Sequence, residues 1–286
     1  MGGYYVKELA TDEHYILSDA KYPVTFEYAG QETAKVQLAV NDGEAIENDL
    51  IYGSVEGMKT TEHGDSLAGA VIGLFKKDET NFTKDTALMT TTSAEDGSFS
   101  FANIPYGEWV VREIEQPIGF VLNETVFDVV IKENAQIVKI EIVNEFIMGD
   151  ITLTKVDKEY PDNKLSGATF EVYKDNNADG KLDDGDTLIG TLTESEVGIY
   201  EMKNMRYGHY LIKETVAPDG FFLDEGVYAV FIETDGTTYF VENEAGVGFI
   251  NEAMTGSLKI VKTSSDGKVE GFSFRITGAN GFDVTL

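Results

Sequence analysis

The chain has 286 residues, with 22 Lys and Arg against 51 Asp and Glu, a formal net charge of −29 and no cysteine. That length accommodates two or three compact domains. The acidity excludes nucleic acid and anionic membrane as partners, because both would be repelled, and the lack of cysteine excludes a disulfide framework and thiolate chemistry. No run approaches the roughly 18 consecutive apolar residues of a membrane span, and the Met-Gly-Gly-Tyr-Tyr start lacks the basic and apolar regions of a signal peptide.

Along the chain one pattern recurs. An acidic residue stands seven positions before an aromatic, and an Asn later ends a strand-like run: Glu8 to Tyr15 with Asn48, Glu113 to Phe120 with Asn144, and Glu214 to Phe221 with Asn251. A similar repeat surrounds Lys59, Lys155 and Lys262. A period of about 100 residues means tandem domains.

Residues 1–52 carry Glu8 and Asn48 but no matching lysine, so they read as the C-terminal half of a unit. The first complete unit, 53–149, opens with Ser-Val-Glu-Gly-Met-Lys at 54–59. A small-residue turn then leads into the apolar run Leu-Ala-Gly-Ala-Val-Ile-Gly-Leu-Phe at 67–75. Alternating Ser-Phe-Ser-Phe at 98–101, a Tyr-Gly turn at 106–107, the Glu113 strand, Val-Phe-Asp-Val-Val-Ile at 126–131 and Ile-Glu-Ile-Val-Asn at 140–144 complete it. The second unit, 150–254, repeats this order with Ile-Thr-Leu-Thr-Lys at 151–155, Leu-Ser-Gly-Ala-Thr-Phe-Glu-Val-Tyr at 165–173, Ile-Tyr-Glu-Met at 199–202, Tyr-Gly at 207–208, the Glu214 strand, Val-Tyr-Ala-Val-Phe-Ile at 227–232 and Gly-Phe-Ile-Asn at 248–251. Residues 255–286, with Ser-Leu-Lys-Ile-Val-Lys at 257–262, read as the N-terminal part of a further unit. Both ends are therefore expected to continue into a longer protein, and the half-units to expose apolar strand edges. Short runs separated by Gly, Asp and Asn, with no sustained 3.6-residue period, predict an all-β fold of tandem β-sandwiches. On one strand, residues two apart share a face, so Glu115 is expected beside Glu113.

The segments Thr-Lys-Val-Asp at 154–157, Tyr-Leu-Ile-Lys-Glu-Thr-Val-Ala-Pro-Asp-Gly-Phe at 210–221 and Phe-Ile-Asn-Glu at 249–252 resemble the Cna B-type, SpaA-like pilin-related domains of Gram-positive cell-surface proteins. The resemblance covers nearly the whole chain. It implies prealbumin-like (Ig-like) sandwiches, many of which form an intramolecular isopeptide bond between a Lys on the first strand and an Asn on the last, assisted by a buried acid. Carried over, the triads are Lys59, Glu113, Asn144 and Lys155, Glu214, Asn251, while Glu8, Asn48 and Lys262 belong to incomplete ones. The first unit departs from the pattern: Lys59 follows Glu-Gly-Met, and Glu-Gln-Pro replaces Val-Ala-Pro.

The residue types suit this chemistry. A buried lysine loses its charge and becomes a nucleophile, and a buried Glu keeps a proton that it can pass on while polarising the amide oxygen. Such crosslinking happens once per domain and requires no cofactor.

Residues 175–186 read Asp-Asn-Asn-Ala-Asp-Gly-Lys-Leu-Asp-Asp-Gly-Asp. Asp175, Asn177, Asp179, Asp183 and Asp186 hold positions 1, 3, 5, 9 and 12 of an EF-hand-type loop, with the Lys181 carbonyl at position 7, so Ca2+ is the one ion expected. Asp in place of Glu at position 12 and the lack of flanking helices depart from that pattern, and the same residues also suit a polar hairpin turn.

Other signals carry less. Gly-Asp-Ser-Leu at 64–67 resembles a hydrolase block but occupies a turn of the repeat. His14, His63 and His209 lie in different units with no evident carboxylate partner. Tyr-Pro-Asp-Asn-Lys at 160–164 resembles a pilin-joining lysine motif in the wrong context.

The leading functional reading is a cell-wall-associated stalk segment of a surface adhesin or pilus-like protein, partnered by neighbouring domains of the same longer chain and locked by Lys–Asn bonds. The alternative is a module that binds host matrix protein or glycan, marked by exposed aromatics beside a groove. An enzyme of many turnovers lacks a constellation to support it.

Overall fold

Strand-forming residues with period-two burial dominate the computed structural model, which describes residues 3–25, 30–32, 35, 38–278 and 282–286. Two short strands, β1 (Gly3–Lys7) and β2 (Lys21–Thr25), form an antiparallel pair near the N-terminus. The first sandwich follows. Its strands are β3 (Tyr52–Thr61), β4 (Val71–Lys76), β5 (Met89–Thr92), β6 (Ser98–Pro105), β7 (Gly107–Glu115), β8 (Phe127–Ile131) and β9 (Ile137–Asn144). One sheet has the order β6-β3-β9 and the other β5-β4-β7-β8.

The second sandwich comprises β10 (Met148–Asp157), β11 (Thr169–Lys174), β12 (Thr187–Thr191), β13 (Thr193–Glu196), β14 (Ile199–Arg206), β15 (Gly208–Val216), β16 (Val227–Ile232), β17 (Thr237–Phe240) and β18 (Phe249–Asn251). Here one sheet runs β13-β14-β10-β17, with β18 also paired to β10, and the other runs β12-β11-β15-β16. A last pair, β19 (Arg275–Thr277) and β20 (Asp283–Thr285), lies near the C-terminus. The fold is all-β and sandwich-like, as expected.

Each sandwich closes over its own apolar cluster. Val55, Ile72, Leu74, Phe99, Phe101, Val111 and Ile142 are among the buried residues of the first, and Ile151, Leu153, Phe170, Tyr200, Ile212 and Phe249 of the second. Burial of such side chains is the main force holding sheet to sheet. The Glu-Gly-Met before Lys59 fits this scheme. In β3, Val55, Gly57, Lys59 and Thr61 face inward, and a Cβ on Gly57 would stand 2.0 Å from the Phe99 ring. The Phe99 ring thus occupies the space that a side chain at 57 would take.

In both units the first strand pairs in parallel with the last, β3 with β9 and β10 with β18. Parallel neighbours must be joined by a long crossover, so nearly the whole domain lies between the two. The sequence reading of 257–262 as a strand does not hold. Lys262 lies outside any strand, its Nζ donating to Thr263 O at 2.6 Å and standing 4.2 Å over the Phe272 ring. Among the described residues of 255–286 there is no counterpart of β9 or β18 to pair with that segment.

The units meet through a repeated connection. Ile147 N–H donates to Gly119 O at 2.9 Å, and Tyr207 N–H donates to Ile147 O at 2.9 Å. Upstream, Ile51 N–H donates to His14 O at 2.8 Å and Tyr106 N–H to Ile51 O at 3.0 Å. The Tyr-Gly turns therefore dock each sandwich on the segment before it, and the Arg206 guanidinium lies 3.8 Å over the Phe146 ring.

Candidate functional site

Local backbone contacts set the lysine. In the first unit Lys59 N–H donates to Gly97 O at 2.7 Å and Leu67 N–H donates to Lys59 O at 2.9 Å; in the second, Lys155 N–H donates to Gly198 O at 2.7 Å and Leu165 N–H to Lys155 O at 2.9 Å. Gly97 and Gly198 have φ of 79° and 70°, a region costly for other residues. A Cβ on Gly97 would lie 2.4 Å from Lys59 O, and one on Gly198 would lie 2.9 Å from Lys155 O.

The acid comes from the opposite sheet. At Glu113 the pairing of β4 with β7 shifts register between Val71 and Ile72, and β11 with β15 shifts at the same place beside Glu214. Each shift inserts one residue, Ile114 or Thr215, as a bulge, and bulges re-aim side chains. Glu113 and Glu214 consequently point inward. Glu115, expected on their face, turns outward and pairs with Lys84 at 2.8 Å; the bulge breaks the two-residue alternation.

Lys59, Glu113 and Asn144 converge, with all three side chains buried. Lys59 Nζ donates to Asn144 Oδ1 at 2.5 Å and to Ile142 O at 3.2 Å. Glu113 Oε1 accepts from Asn144 Nδ2 at 2.8 Å and lies 4.0 Å from Lys59 Nζ. Lys155, Glu214 and Asn251 converge on the same plan but, among the described residues, without the lysine-to-amide hydrogen bond of the first site: Lys155 Nζ donates to Phe249 O at 3.2 Å and lies 3.5 Å from Glu214 Oε1, while Asn251 Nδ2 donates to both Glu214 oxygens at 3.0 Å. The same carboxyl oxygen thus stands between the amine and the amide nitrogen in each. It faces Nδ2, not the amide oxygen that the sequence reading had it polarise.

Electrostatics follow burial. Desolvation lowers the pKa of Lys59 to about 8 against the pull of Glu113, and that of Lys155 to about 8 against the pull of Glu214. Desolvation also raises Glu113, outweighing its hydrogen bonds and Lys59. A close pair of a lysine and a carboxyl would ordinarily hold both charges. Here, with no solvent access to either side chain of the first pair, burial favours the neutral forms.

Three backbone contributors are not among the residues the sequence singles out. Glu113 Oε2 accepts from Asn123 N–H and Glu214 Oε2 from Asp224 N–H, both at 2.8 Å. Ser18 N–H does the same for Glu8 at 2.9 Å. The signal was present in the repeat, since all three clamps lie ten residues after their Glu.

Glu8 and Asn48 are also brought together, Asn48 Nδ2 donating to Glu8 Oε1 at 2.8 Å. No lysine joins them among the described residues, and the hydrogen bond from Ser18 N–H, first among its contacts, lowers the pKa of Glu8. Lys262 reaches neither residue. His14 does find a carboxylate, Asp12 Oδ1 at 2.5 Å, but the pair is exposed. His209 stacks on Phe231 at 4.1 Å, and His63 lies 5.6 Å from Phe146.

A family model described as "SpaA: Prealbumin-like fold domain" matches residues 53–146 and 149–245, more than half of the chain. The chain belongs to this family. Among solved structures, the SpaA-type domains here are similar to the Bacillus anthracis TIE protein, at 25% identity over 89% of this chain and 42% of that one, with a TM-score of 0.66. They also align with a streptococcal ancillary pilin, at 21% identity over 88% of this chain and 75% of that one, with a TM-score of 0.33. The chain spans less than half the length of the TIE protein. No curated protein matches it. Both lysine–amide pairs lie where first strand meets last, each facing an acid from the opposite sheet.

Proposed function

We propose that this chain is a stalk segment of a Gram-positive cell-wall surface adhesin or pilus-like protein, whose two SpaA-type domains lock themselves with Lys59–Asn144 and Lys155–Asn251 isopeptide bonds. The carrying observation is the twice-built triad: a lysine, a carboxyl and a carboxamide, all buried, at equivalent positions of successive domains. Membership of the SpaA family and the likeness to the TIE protein support the surface role. No helix among the described residues is long and apolar enough to cross a membrane.

In the reaction the neutral lysine Nζ attacks Asn Cγ. The Nζ–Cγ bond forms, the Cγ–Nδ2 bond breaks, and ammonia leaves. Glu113 or Glu214, touching Nδ2 and near Nζ, carries the proton from the amine to the departing nitrogen. Pre-alignment of nucleophile and electrophile within a packed core supplies much of the rate. Each domain reacts once, which distinguishes this from enzymatic turnover.

Tension applied at the ends of a domain then runs through the bond and bypasses the chain between lysine and Asn. Single-molecule pulling tests this. Locked domains yield no sandwich-sized extension steps, whereas unlocked ones each release roughly 300 Å for the 85-residue separation of Lys59 and Asn144. Two such steps per chain would contradict the proposal.

The second reading, binding of host matrix protein or glycan, draws on one feature. Phe222, 54% exposed, and Leu223 line a cleft of about 620 Å³ with Tyr228, Asn243 and Glu252. Saturable binding of matrix protein or a glycan array signal, lost in Phe222→Ala, would establish it; no signal removes it.

A further inference from the structure

Loops 77–88 and 175–186 are equivalent connections, from β4 to β5 and from β11 to β12. They are anchored differently. In the first, Phe82 packs edge-on against Phe75 at 5.0 Å and beneath the Arg112 guanidinium at 4.8 Å. The second has no aromatic, and its anchor is a carboxylate. Asp175 is only 4% exposed. Its Oδ2 accepts from Gly180 N–H at 2.9 Å, while its Oδ1 is buried with no hydrogen-bond partner.

A desolvated carboxylate oxygen without a partner is unfavourable. The adjacent Lys174 attracts the Asp175 charge but gives Oδ1 no hydrogen bond, because its Nζ donates to Tyr207 O at 3.2 Å and stands 4.4 Å over the Tyr210 ring. Meanwhile the loop adds Asp179, Asp183, Asp184 and Asp186 against the single Lys181. An orphaned, buried oxygen beneath a strongly negative loop calls for a cation.

From this arrangement we infer that loop 175–186 binds one calcium ion, with Asp175 Oδ1 as its fixed ligand. Asn177, Asp179, Asp183, Asp186 and the Lys181 carbonyl supply the rest. All are hard oxygen donors, of mixed carboxylate, carboxamide and carbonyl type, on a deformable loop. That set suits calcium better than magnesium, which demands a tight octahedron. Among the described residues no three carboxylate or imidazole groups are already gathered as a metal cluster. Asn177, Asp179 and Asp186 instead accept from loop N–H groups at Asp179, Lys181 and Asp183. Binding therefore draws exposed carboxylates down onto Asp175 and orders the hairpin that holds edge strand β12. The inference is independent of the crosslinks.

The test uses the full chain, stripped with a chelator and titrated with Ca2+ by calorimetry, with Mg2+ in parallel. One calcium per chain is expected, with Mg2+ at least about tenfold weaker. Asp175→Asn, checked for folding by circular dichroism, abolishes binding, and the exposed Asp183→Asn weakens it about tenfold or more. Proteolytic cleavage within 176–186 slows only when calcium is present. No saturable heat up to millimolar calcium overturns the inference. So does binding that survives both substitutions, which would place the ion elsewhere on a surface of charge −29.

Discussion

Lys59 Nζ and Asn144 Oδ1 lie 2.5 Å apart although their backbones are not in register: Lys59 pairs with Ile142, and Asn144 with Thr61. The two-residue offset puts both on the inner face of neighbouring parallel strands, where the long lysine reaches diagonally to the amide. Because β3 opens the domain and β9 closes it, one covalent bond there encloses nearly all of the fold. By analogy with a disulfide, closing roughly 90 residues removes about 4–5 kcal/mol of unfolded-state entropy.

In the proposed mechanism the carboxyl carries the proton, so Glu113→Gln and Glu214→Gln are each expected to preserve shape but block the bond in their own domain. Each variant is expected to be about 17 Da heavier than the fully crosslinked chain, beyond the substitution itself, as one ammonia is retained. Its affected domain loses about 4–5 kcal/mol by urea unfolding. Normal crosslinking in either variant would remove the carboxyl from the mechanism.

In Glu113→Gln the amine persists, and its titration becomes visible. Burial already lowers the folded pKa of Lys59 to about 8 from an ordinary 10.5, and losing Glu113 removes the group that raised it. Across that window the unfolded state holds a proton that the folded state lacks, so stability rises with pH. The gain is on the order of 3 kcal/mol, complete near the unfolded pKa. The crosslinked chain has an amide there and lacks the rise. Urea titrations of variant and parent across this range, compared by difference, test it; a difference that is flat with pH contradicts the account.

Gly97→Ala would press a Cβ to 2.4 Å from Lys59 O at a φ of 79°. It is expected to destabilise the 53–149 domain by about 1–3 kcal/mol and to lower its crosslink yield, with 150–254 unaffected. Peptide mapping of each bond separately reads this out.

Glu8 and Asn48 form the acid–amide half of a site without the amine. Glu8→Ala therefore leaves the ammonia loss of the chain unchanged. A smaller loss in that variant would mean that a lysine reaches Asn48.

Much of this was legible in the residues. Alternation and turn residues announced the strands, and the repeat singled out Lys59, Glu113 and Asn144 with Lys155, Glu214 and Asn251. What escaped was non-local. The bulges at Ile114 and Thr215 have no sequence mark of their own, and the one at Ile114 sends Glu115 to solvent. Gly57 looked like a break in an apolar run because the Phe99 ring that fills its place comes from another strand. The strand expected at 257–262 failed for the related reason that a strand exists by pairing.

The most direct measurement is the intact mass of the denatured chain. Two bonds expel two ammonia molecules, so the account predicts a mass about 34 Da below that of the sequence, with branched peptides joining Lys59 to Asn144 and Lys155 to Asn251. An unshifted mass would contradict the central claim and leave two sandwiches held by packing alone.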